Sequence, residues 1–301
     1  MRVLVTGAAG YIGSVVVSAL AAAGHEPVAL VRASHAADPD GVQSRVGDLL
    51  SPETLTAALA GVEVVCHLAG LTRARDSWQE PLRYFEVNVG GTLCLLRAME
   101  SVGVRRLVFA SAGSLYGTPE RQPMTEDLPA DPPHPYAASK AAAESAIGWQ
   151  ARSGALGATV LRLFNIAGGY DTDPTRILPR ILAVAAGDIP NVQVNGDGTA
   201  VRDFLHVADV VDAYARLLAG GKAGETYNVS SGAGVVLKDV VLRLCVMAGW
   251  QPILEVDSAD VRPDTVPHLV GDGGKLESAT GWRPRHTLDQ LLQDVLDAQA
   301  H

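Results

Sequence analysis

Short apolar runs alternate with helix-like segments through the first half of the chain. Five runs predict strands, at Arg2–Thr6, Pro27–Val31, Glu63–Leu68, Arg105–Ala110 and Ala158–Phe164. The segments between them, at about 11–23, 52–60, 81–102 and 136–152, have the apolar spacing of helices. This alternation predicts βαβ units and a parallel sheet with helices on both faces. Ligands of such sheets bind beyond the carboxyl ends of the strands, where the strand order reverses.

The first predicted strand ends in a glycine-rich turn that leads into an Ala/Val-rich helical segment. Glycines let the backbone approach a pyrophosphate, and a helix N-terminus offers free N–H groups and the positive end of its dipole. The spacing is GxxGxxG, which differs from the commoner GxGxxG. The strand–turn–helix context predicts a dinucleotide site that includes Gly7, Gly10, Tyr11, Ile12 and Gly13.

The regular alternation ends after Phe164. Loops rich in Gly, Pro and Asp, at Gly168–Arg176, Gly196–Asp203 and Gly220–Gly224, separate shorter elements, and a last helix is predicted over about Leu288–Ala298. We predict an α/β fold with a Rossmann-like, doubly wound parallel sheet over 1–165, which parts of 204–230 rejoin. A smaller C-terminal lobe, formed mainly by 166–301, is expected to bind the substrate.

Composition narrows the classes of partner. Of 301 residues, 48% are hydrophobic and 19% are charged, which excludes a disordered chain. The net charge of −9 argues against a nucleic acid or an anionic membrane, so arginines and helix ends must hold any anionic ligand. Cys66, Cys94 and Cys245 lie in apolar contexts, and neither disulfides nor a metal site is predicted. With no secretory signal and no membrane-spanning apolar run, we expect a cytoplasmic protein.

Tyr136 and Lys140 are candidate catalytic residues. They lie four residues apart at the start of a predicted helix that His134 and Pro135 introduce, and therefore share one helix face. A nearby ammonium favours the phenolate and lowers the pKa of the phenol. Such a tyrosine would serve as general base toward a sugar hydroxyl. The pair alone is a weak signal, but its position after the fourth predicted strand makes it strong.

Several further motifs occur with these two. Together they resemble the extended short-chain dehydrogenase/reductase family, and within it the NAD-dependent epimerase/dehydratase type, whose epimerases act on nucleotide sugars. The resemblance covers nearly the whole chain. It rests on Gly7–Gly13, Asp48-Leu49, His67–Gly70, Asn88–Thr92, Tyr116-Gly117, Tyr136–Lys140, Leu163–Asn165 and Asn195–Phe204.

The resemblance implies a role for each matching residue. Tyr136 would be the base, and Lys140 its electrostatic partner and a ribose contact. Further contacts with NAD are implied for Asp48 and Leu49 at the adenine, for Leu68, Ala69 and Gly70 beside the nicotinamide, and for Asn88 and Ser111. The nucleotide sugar would be held by Thr72, Ser114, Asn165, Arg202 and Arg262. For Arg202, a surface ion pair with Asp203 is the alternative.

The family also implies a homodimer. Tyr84, Phe85, Leu93 and Leu96 recur on one helical face, which could pair with a second copy together with the helix of Tyr136. A face packed in the protein's own core explains these residues nearly as well.

Ala112 departs from the family pattern. The family usually has Ser or Thr four residues before Tyr116, where the hydroxyl bridges the base and the sugar. Ser114, Ser111 or a water would have to replace that hydroxyl, and we include Ser114 among the catalytic candidates. Gly113 and Ser114 supply no acid or base for the elimination that sugar dehydratases catalyse, which disfavours that reaction.

Arg32 is a second departure. NAD-preferring members usually have an acidic residue at the end of the second strand, whereas Arg32 could accommodate the 2′-phosphate of NADP or stack on the adenine of NAD. NAD is the favoured cofactor.

The favoured function is C4 epimerisation of a UDP-hexose or related UDP-sugar, through a 4-keto sugar and tightly bound NAD. The first alternative is an NADPH-dependent reductase of a nucleotide-linked 4-keto sugar, and the second a non-catalytic dinucleotide-binding regulator. Two histidines have structural interpretations: His67 as a packed residue, and His206 as a satisfied residue before a helix that Asp209 caps.

Overall fold

The structure is a computed structural model that describes residues 1–32, 42–171, 173, 175–189, 192–195, 197–251, 254–257 and 266–298. Arg262 therefore lies outside the described residues.

Strands and helices alternate as expected. The strands are β1 (Arg2–Thr6), β2 (Glu26–Val31), β3 (Gln43–Val46), β4 (Val64–His67), β5 (Arg106–Ala112), β6 (Gly157–Leu163), β7 (Asn165–Ala167), β8 (Val192–Asn195), β9 (Val201–His206), β10 (Thr226–Val229), β11 (Gly234–Val236), β12 (Leu254–Asp257) and β13 (His268–Leu269). The helices are α1 (Tyr11–Ala22), α2 (Pro52–Ala58), α3 (Ala74–Ser77), α4 (Pro81–Phe85), α5 (Gly91–Val102), α6 (Pro135–Arg152), α7 (Ile177–Ala185), α8 (Val207–Gly220), α9 (Leu237–Ala248), α10 (Gly274–Thr280) and α11 (Leu288–Asp297). A π-helical turn covers Glu86–Gly90, and a 3₁₀ turn covers Gly113–Tyr116.

Seven parallel strands form the main sheet, in the order β3-β2-β1-β4-β5-β6-β10. The chain moves outward from β1 to β3 and then returns to build the other half from β4. The strand order thus reverses between β1 and β4, and this reversal opens a crevice at their carboxyl ends. The predicted Rossmann-like α/β fold is confirmed.

Alternating side chains of each strand pack against opposite helical layers. Val3 and Val5 of β1 belong to a buried core with α1 and α8, whereas Leu4 packs in a second core with α2, α5 and α6. This is the period of two that a strand buried on both faces requires. The main sheet is therefore covered on both sides, and its ligand-binding edge is left open.

A smaller unit, named here the lobe, comprises strands β7–β9 and β11–β13 with helices α7, α9 and α11. Strand β9 pairs with β7 and β13 in parallel and with β11 antiparallel, and β8 pairs with β12. The three helices share a separate apolar core that contains Leu178, Ile181, Val240, Leu244, Leu291 and Leu292. The lobe lies beside the carboxyl edge of the main sheet, because β7 follows directly after β6.

Two local predictions are wrong. Val201–Asp203 was expected in a loop, but these residues begin β9, because pairing with β11 and β13 outweighs the Gly- and Asp-rich local sequence. Asp209 does not cap α8. That helix begins at Val207, and His206 is its N-cap, since its Nδ1 accepts the N–H of Ala208 at 3.1 Å.

One further element agrees with its prediction. The predicted helix over 81–102 is continuous, with α4 and α5 joined by the π-helical turn. Cys66 and Cys245 are buried and Cys94 is half-buried, all as free thiols. No helix in the described parts of the chain is long and apolar enough to span a bilayer.

Candidate active site

A cleft of about 1300 Å³ lies between the carboxyl edge of the main sheet and the lobe. It brings together nearly every residue singled out from the sequence. The lining includes Gly7, Gly10, Tyr11, Ile12, Gly13, Arg32, Asp48, Leu49, Leu68, Ala69, Gly70, Thr72, Ser111, Ser114, Tyr136, Lys140, Asn165 and Arg202. Asn88 is buried just behind this surface, at Gly70.

In the glycine turn between β1 and α1, the backbone is packed so closely that Gly7 and Gly13 leave no room for a side chain. Gly7 has φ +70°, and a Cβ there would lie 2.8 Å from the backbone nitrogen of Ala69. A Cβ on Gly13 would lie 2.0 Å from the carbonyl oxygen of Gly7. Gly10, the N-cap of α1, supplies no side-chain cap to the first helical amides. This close backbone and uncapped helix N-terminus fit a dinucleotide pyrophosphate.

Lys140 lies deep at the floor of the cleft. Helix α6 begins after His134, whose Nδ1 accepts the N–H of Ala137 at 3.1 Å. One turn further, the ammonium of Lys140 donates to the carbonyl oxygen of Ala110 at 2.8 Å and lies 4.8 Å from the ring centroid of Phe109. Burial lowers the pKa of Lys140 to about 8. The side chain is thus anchored on β5.

The pKa of Tyr136 is set mainly by burial in this cleft. Burial raises the pKa of Tyr136 to about 12, and the charge that opposes this rise comes from Arg176 of the lobe. Desolvation dominates this pKa, so the lowering by Lys140 that the sequence suggested stays a prediction. The ring of Tyr136 stacks on that of His134 and meets Tyr84 edge-on, at centroid distances of 5.8 and 6.3 Å.

Asn88 connects the loop after β4 to helix α6. Its Oδ1 accepts the N–H of Leu71 at 2.8 Å, and its Nδ2 donates to the carbonyl oxygen of Leu71 at 3.0 Å and to Oγ of Ser139 at 2.9 Å. It lies in the π-helical turn, whose extra residue directs the side chain inward; π-turns are frequent at functional sites. The sequence identified the residue but not the turn.

Ala112 lies at the end of β5, flanked by two serines that have spare hydrogen-bonding capacity. The Oγ atoms of Ser111 and Ser114 are buried without a hydrogen-bond partner among the described residues. Both residues line the cleft. Buried hydroxyls without partners are uncommon in native proteins, and here they lie where a ligand would supply the missing partner.

Arg202 provides positive charge on the lobe side of the cleft. Its only hydrogen bond among the described residues is to the carbonyl oxygen of Val201, at 2.9 Å, and burial lowers its pKa. Asp203, the next residue of β9, accepts hydrogen bonds from Ser231, Gly232 and Gly271. The ion pair considered from the sequence is therefore wrong, since neighbouring side chains of a strand point to opposite faces.

An ionic cluster that the sequence did not indicate crosses the mouth of the cleft. Arg73 follows β4 and pairs with Asp173 of the lobe side at 3.2 Å, while Arg176 pairs with Asp171 at 2.9 Å. The guanidinium carbon of Arg176 lies 5.0 Å from the ring centroid of Tyr11. Arg73 and Asp173 are 100 positions apart along the chain, and no local pattern in the sequence could have joined them.

The fold and the cleft are those of a dinucleotide-dependent enzyme, with a Tyr–Lys pair at the edge of the main sheet. A family model described as the NAD dependent epimerase/dehydratase family matches residues 3–230, and the chain belongs to that family. It is 35% identical to the UDP-glucose 4-epimerase of Streptomyces lividans, an alignment that covers 98% of this chain and 94% of that protein.

Solved structures of similar proteins include an epimerase and a dehydratase, the two kinds of enzyme that give the family its name. The UDP-glucose-4-epimerase of Stenotrophomonas maltophila, with bound NAD and formylated UDP-arabinopyranose, has a TM-score of 0.91 and 28% identity, over 100% of this chain and 98% of that one. The dTDP-glucose 4,6-dehydratase of Streptomyces venezuelae, with NAD bound, has a TM-score of 0.91 and 29% identity over the same shares. Overall shape alone does not separate the two reactions.

Proposed function

We propose that the protein is an NAD-dependent 4-epimerase of a nucleotide sugar, most simply of a UDP-hexose. One observation carries the proposal: a single cleft holds both the Tyr136–Lys140 pair and a half-buried arginine, Arg202, with no carboxylate partner in the described structure. A partly desolvated cation without a counter-charge is stabilised when an anionic ligand pairs with it. The diphosphate of a nucleotide sugar meets that need.

Residues around the glycine turn would hold the cofactor. Gly7, Gly10 and Gly13 leave room for its pyrophosphate, and Asp48 and Leu49 lie on the part of the cleft assigned to the adenine. NAD, when bound, accepts a hydride from a sugar carbon and returns it. The 4-epimerase name of the 35% identical relative supports the choice of carbon, and the NAD bound in the Stenotrophomonas maltophila structure supports the cofactor.

On the lobe side, Arg202 and Asn165 would grip the diphosphate, together with Thr72 across the cleft. The amide of Asn165 is held by the carbonyl oxygen of Asp203 at 3.2 Å, so its position is coupled to β9. Arg262 is a further candidate from the sequence. An arginine fork suits phosphate oxygens geometrically and supplies local positive charge in an acidic protein.

Tyr136 would take the proton of the sugar's 4-hydroxyl and later return it. Its raised pKa means that the phenol is protonated in the free cleft, so additional positive charge must be present when it acts as a base. The unpartnered Oγ atoms of Ser111 and Ser114 are available to bridge the phenol and the sugar hydroxyl in place of a side chain at Ala112.

Epimerisation is favoured over dehydration by the packing at Gly113. A Cβ on this residue would lie 2.7 Å from the ring of Phe164, so the acidic side chain that dehydratases carry in this segment has no room. Ser114 on its own supplies no acid or base of suitable strength. Residues 113 and 114 therefore supply neither an acid nor a base for an elimination at C5 and C6, which supports epimerisation.

The NADPH-dependent reductase is kept as a second candidate because of Arg32. This side chain is exposed at the end of β2 and lines the cleft, where a 2′-phosphate would meet it. In that case the protein would bind NADPH better than NADH and would consume one equivalent of cofactor per turnover.

Purified protein tests the proposal in two steps. The nucleotide released on denaturation is identified by mass, and UDP-galactose is then offered without added cofactor. We expect stoichiometric NAD and formation of UDP-glucose, and Tyr136→Phe should retain NAD but lose roughly three to four orders of magnitude in turnover. A protein that contains no NAD, gives no UDP-glucose and oxidises NADPH with a 4-keto sugar would contradict epimerisation.

A homodimer is also proposed. Tyr84 and Leu96 are buried in the protein's own core, but Phe85 and Leu93 expose 39% and 38% of their surface. Leu82 on α4 and Trp149 on α6 are 82% and 67% exposed. Large apolar side chains exposed together on adjacent helices are typical of an interface between subunits.

A further inference from the structure

A chain of buried hydrogen bonds runs behind the cleft, from the end of β1 to helix α6. Its central member is His67, the last residue of β4, which is almost fully buried. Nδ1 of the imidazole lies 2.7 Å from Oγ1 of Thr6, and Nε2 lies 3.0 Å from Oγ1 of Thr92 on α5. The sequence suggested only packing for this residue.

The direction of every bond in the chain is fixed by the available protons. Thr92 has one hydroxyl proton and donates it to the carbonyl oxygen of Asn88 at 2.6 Å, so it must accept from Nε2–H of His67. Nδ1 of His67 must then accept the hydroxyl proton of Thr6. Oγ1 of Thr6 is left as the acceptor for the N–H of Ala69, at 3.1 Å. The neutral imidazole with its proton on Nε2 is the state that satisfies all these bonds.

The two ends of the chain reach opposite sides of the active site. At one end, Thr6 holds the N–H of Ala69, which begins the cleft-lining loop 69–71. At the other end, Asn88 binds both backbone groups of Leu71 and the hydroxyl of Ser139, which donates to the carbonyl oxygen of Tyr136 at 2.8 Å. The side chain of Asn88 therefore joins the loop directly to the first turn of α6, and His67 adds a second connection, from Ala69 through Thr6 and Thr92 to the backbone carbonyl of Asn88.

Gly70 is tightly packed against the side chains of Asn88 and Lys140. A Cβ on this residue would lie 2.8 Å from Oδ1 of Asn88 and 3.7 Å from Nζ of Lys140. A shift of the Asn88 side chain would therefore move the loop, the ammonium or both. Interiors packed this closely transmit small displacements instead of absorbing them.

We propose that His67 is a positioning residue, whose neutral imidazole fixes the loop 69–71 relative to Tyr136 and so aligns the phenol with the sugar carbon at which hydride is exchanged. This role rests on the proposed function. Burial and the nearby charge of Lys140 lower the pKa of His67 to about 3, which keeps the imidazole neutral under physiological conditions. His67 touches no ligand in this scheme and acts through Thr92 and Asn88.

The test compares His67→Leu with His67→Gln in the full-length protein. The amide nitrogen of Gln can donate to Thr92 in place of Nε2, whereas Leu cannot. For His67→Leu we expect kcat to fall about 10- to 100-fold with KM for UDP-galactose within about twofold, because misplacement of a catalytic group costs rate and not affinity. His67→Gln should recover most of the loss.

Amide hydrogen exchange provides a measurement independent of turnover. In His67→Leu, peptides that contain 69–71 should exchange about tenfold faster than in the wild type, while those of α10 should be unchanged. Cys66→Ala is the matched control. Cys66 is the neighbour of His67 on β4 and is equally buried, but it packs in the core on the other face of the sheet. It should lower the melting temperature without a comparable fall in kcat.

Each result decides a separate point. If His67→Leu keeps wild-type kcat and exchange, or if Cys66→Ala loses as much kcat at the same melting temperature, the positioning role is wrong. If His67→Leu fails to fold, Thr92→Val interrupts the same chain at the next bond and is judged by the same criteria. If the wild type does not interconvert UDP-sugars, the proposed function fails. The hydrogen-exchange data still decide whether the chain of hydrogen bonds through His67 holds the loop 69–71 in place.

Discussion

Three side chains in and behind the cleft have their ionisation set mainly by burial. Tyr136 has its pKa raised to about 12, Lys140 has its pKa lowered to about 8, and His67 has its pKa lowered to about 3. Desolvation disfavours the charged form in every case. The free cleft thus keeps the phenol of Tyr136 protonated and the imidazole of His67 neutral, beside the anchored ammonium of Lys140. In this arrangement only one of the three side chains buries a charge.

Lys140→Met should stabilise the fold near neutral pH while it abolishes activity. Below pH 8 the lysine is charged both in the folded and in the unfolded chain, so the folded state bears the full desolvation cost of the buried ammonium. Between about 8 and 10.5 only the unfolded chain keeps the proton, and the stability of the wild type rises with pH. Denaturant unfolding at pH 7 and pH 10 measures the difference between the two proteins.

The expected gain at pH 7 is on the order of 2–3 kcal/mol, reduced by about 1 kcal/mol for the lost hydrogen bond to Ala110. That gain should shrink toward zero at pH 10. If the two proteins differ by the same amount at both pH values, the pKa of Lys140 is not depressed by burial.

At the scale of elements, the turn between β1 and α1 requires glycine for two different reasons. Gly7 needs its positive φ, whereas Gly13 lies in regular helix and is required because its Cα faces the carbonyl oxygen of Gly7. A methyl group at Gly13 would push α1 away from the turn. The space for a pyrophosphate depends on that close approach.

Gly13→Ala should therefore lose at least tenfold in affinity for NAD and lower the melting temperature, although alanine is the better helix former. Gly148→Ala on α6 is the matched control, since a Cβ there meets nothing closer than 3.7 Å. It should stabilise the protein by up to about 1 kcal/mol. Titration of cofactor-free protein with NAD measures the first effect, and equal affinity in the two variants would contradict the steric argument.

The elements that sequence could predict are those with strong local patterns. The strands of Val3–Val5 and Leu107–Ala110 are continuous apolar runs. The helix of Tyr136 has a recognisable start, with His134 as its N-cap and Pro135 as its first residue. Strand β3 was missed because its four residues, Gln43–Val46, are only partly buried at the sheet edge. The start of β9 was missed because its conformation depends on partners distant in sequence.

In the candidate site, too, only the residues with a local sequence pattern could be predicted. Glycines and the Tyr–Lys pair have spacings that local chemistry explains, so they could be identified before the fold was known. The charge acting on Tyr136 could not, because Arg176 reaches it only when the lobe is placed over the sheet. The partners of His67 were likewise hidden, since Thr6 and Thr92 are 61 and 25 positions away.

At the scale of the whole molecule, the lobe is coupled electrostatically to Tyr136, the candidate base. The Arg73–Asp173 pair bridges the two sides of the cleft, and Asp171 holds Arg176 beside Tyr11. Arg176 is the positive charge that opposes the rise in the pKa of Tyr136. A lobe movement that carried Arg176 away would make the phenol a weaker acid, so we expect proton transfer from the substrate to Tyr136 to be favoured only when the lobe is in place.

Arg176→Gln should consequently raise the pKa of Tyr136 and shift the acid limb of the kcat–pH profile to higher pH, because more hydroxide is then needed to form the phenolate. Arg180→Gln, one turn further along α7 and also in the lining of the cleft, is the control and should leave that limb in place. Both variants remove one positive charge, so any general change in net charge cancels between them. Profiles measured at saturating substrate separate the effect on the phenol from weaker binding. An equal shift in both variants would assign the coupling to the overall field of the lobe, and no shift in Arg176→Gln would remove this arginine from the ionisation of Tyr136.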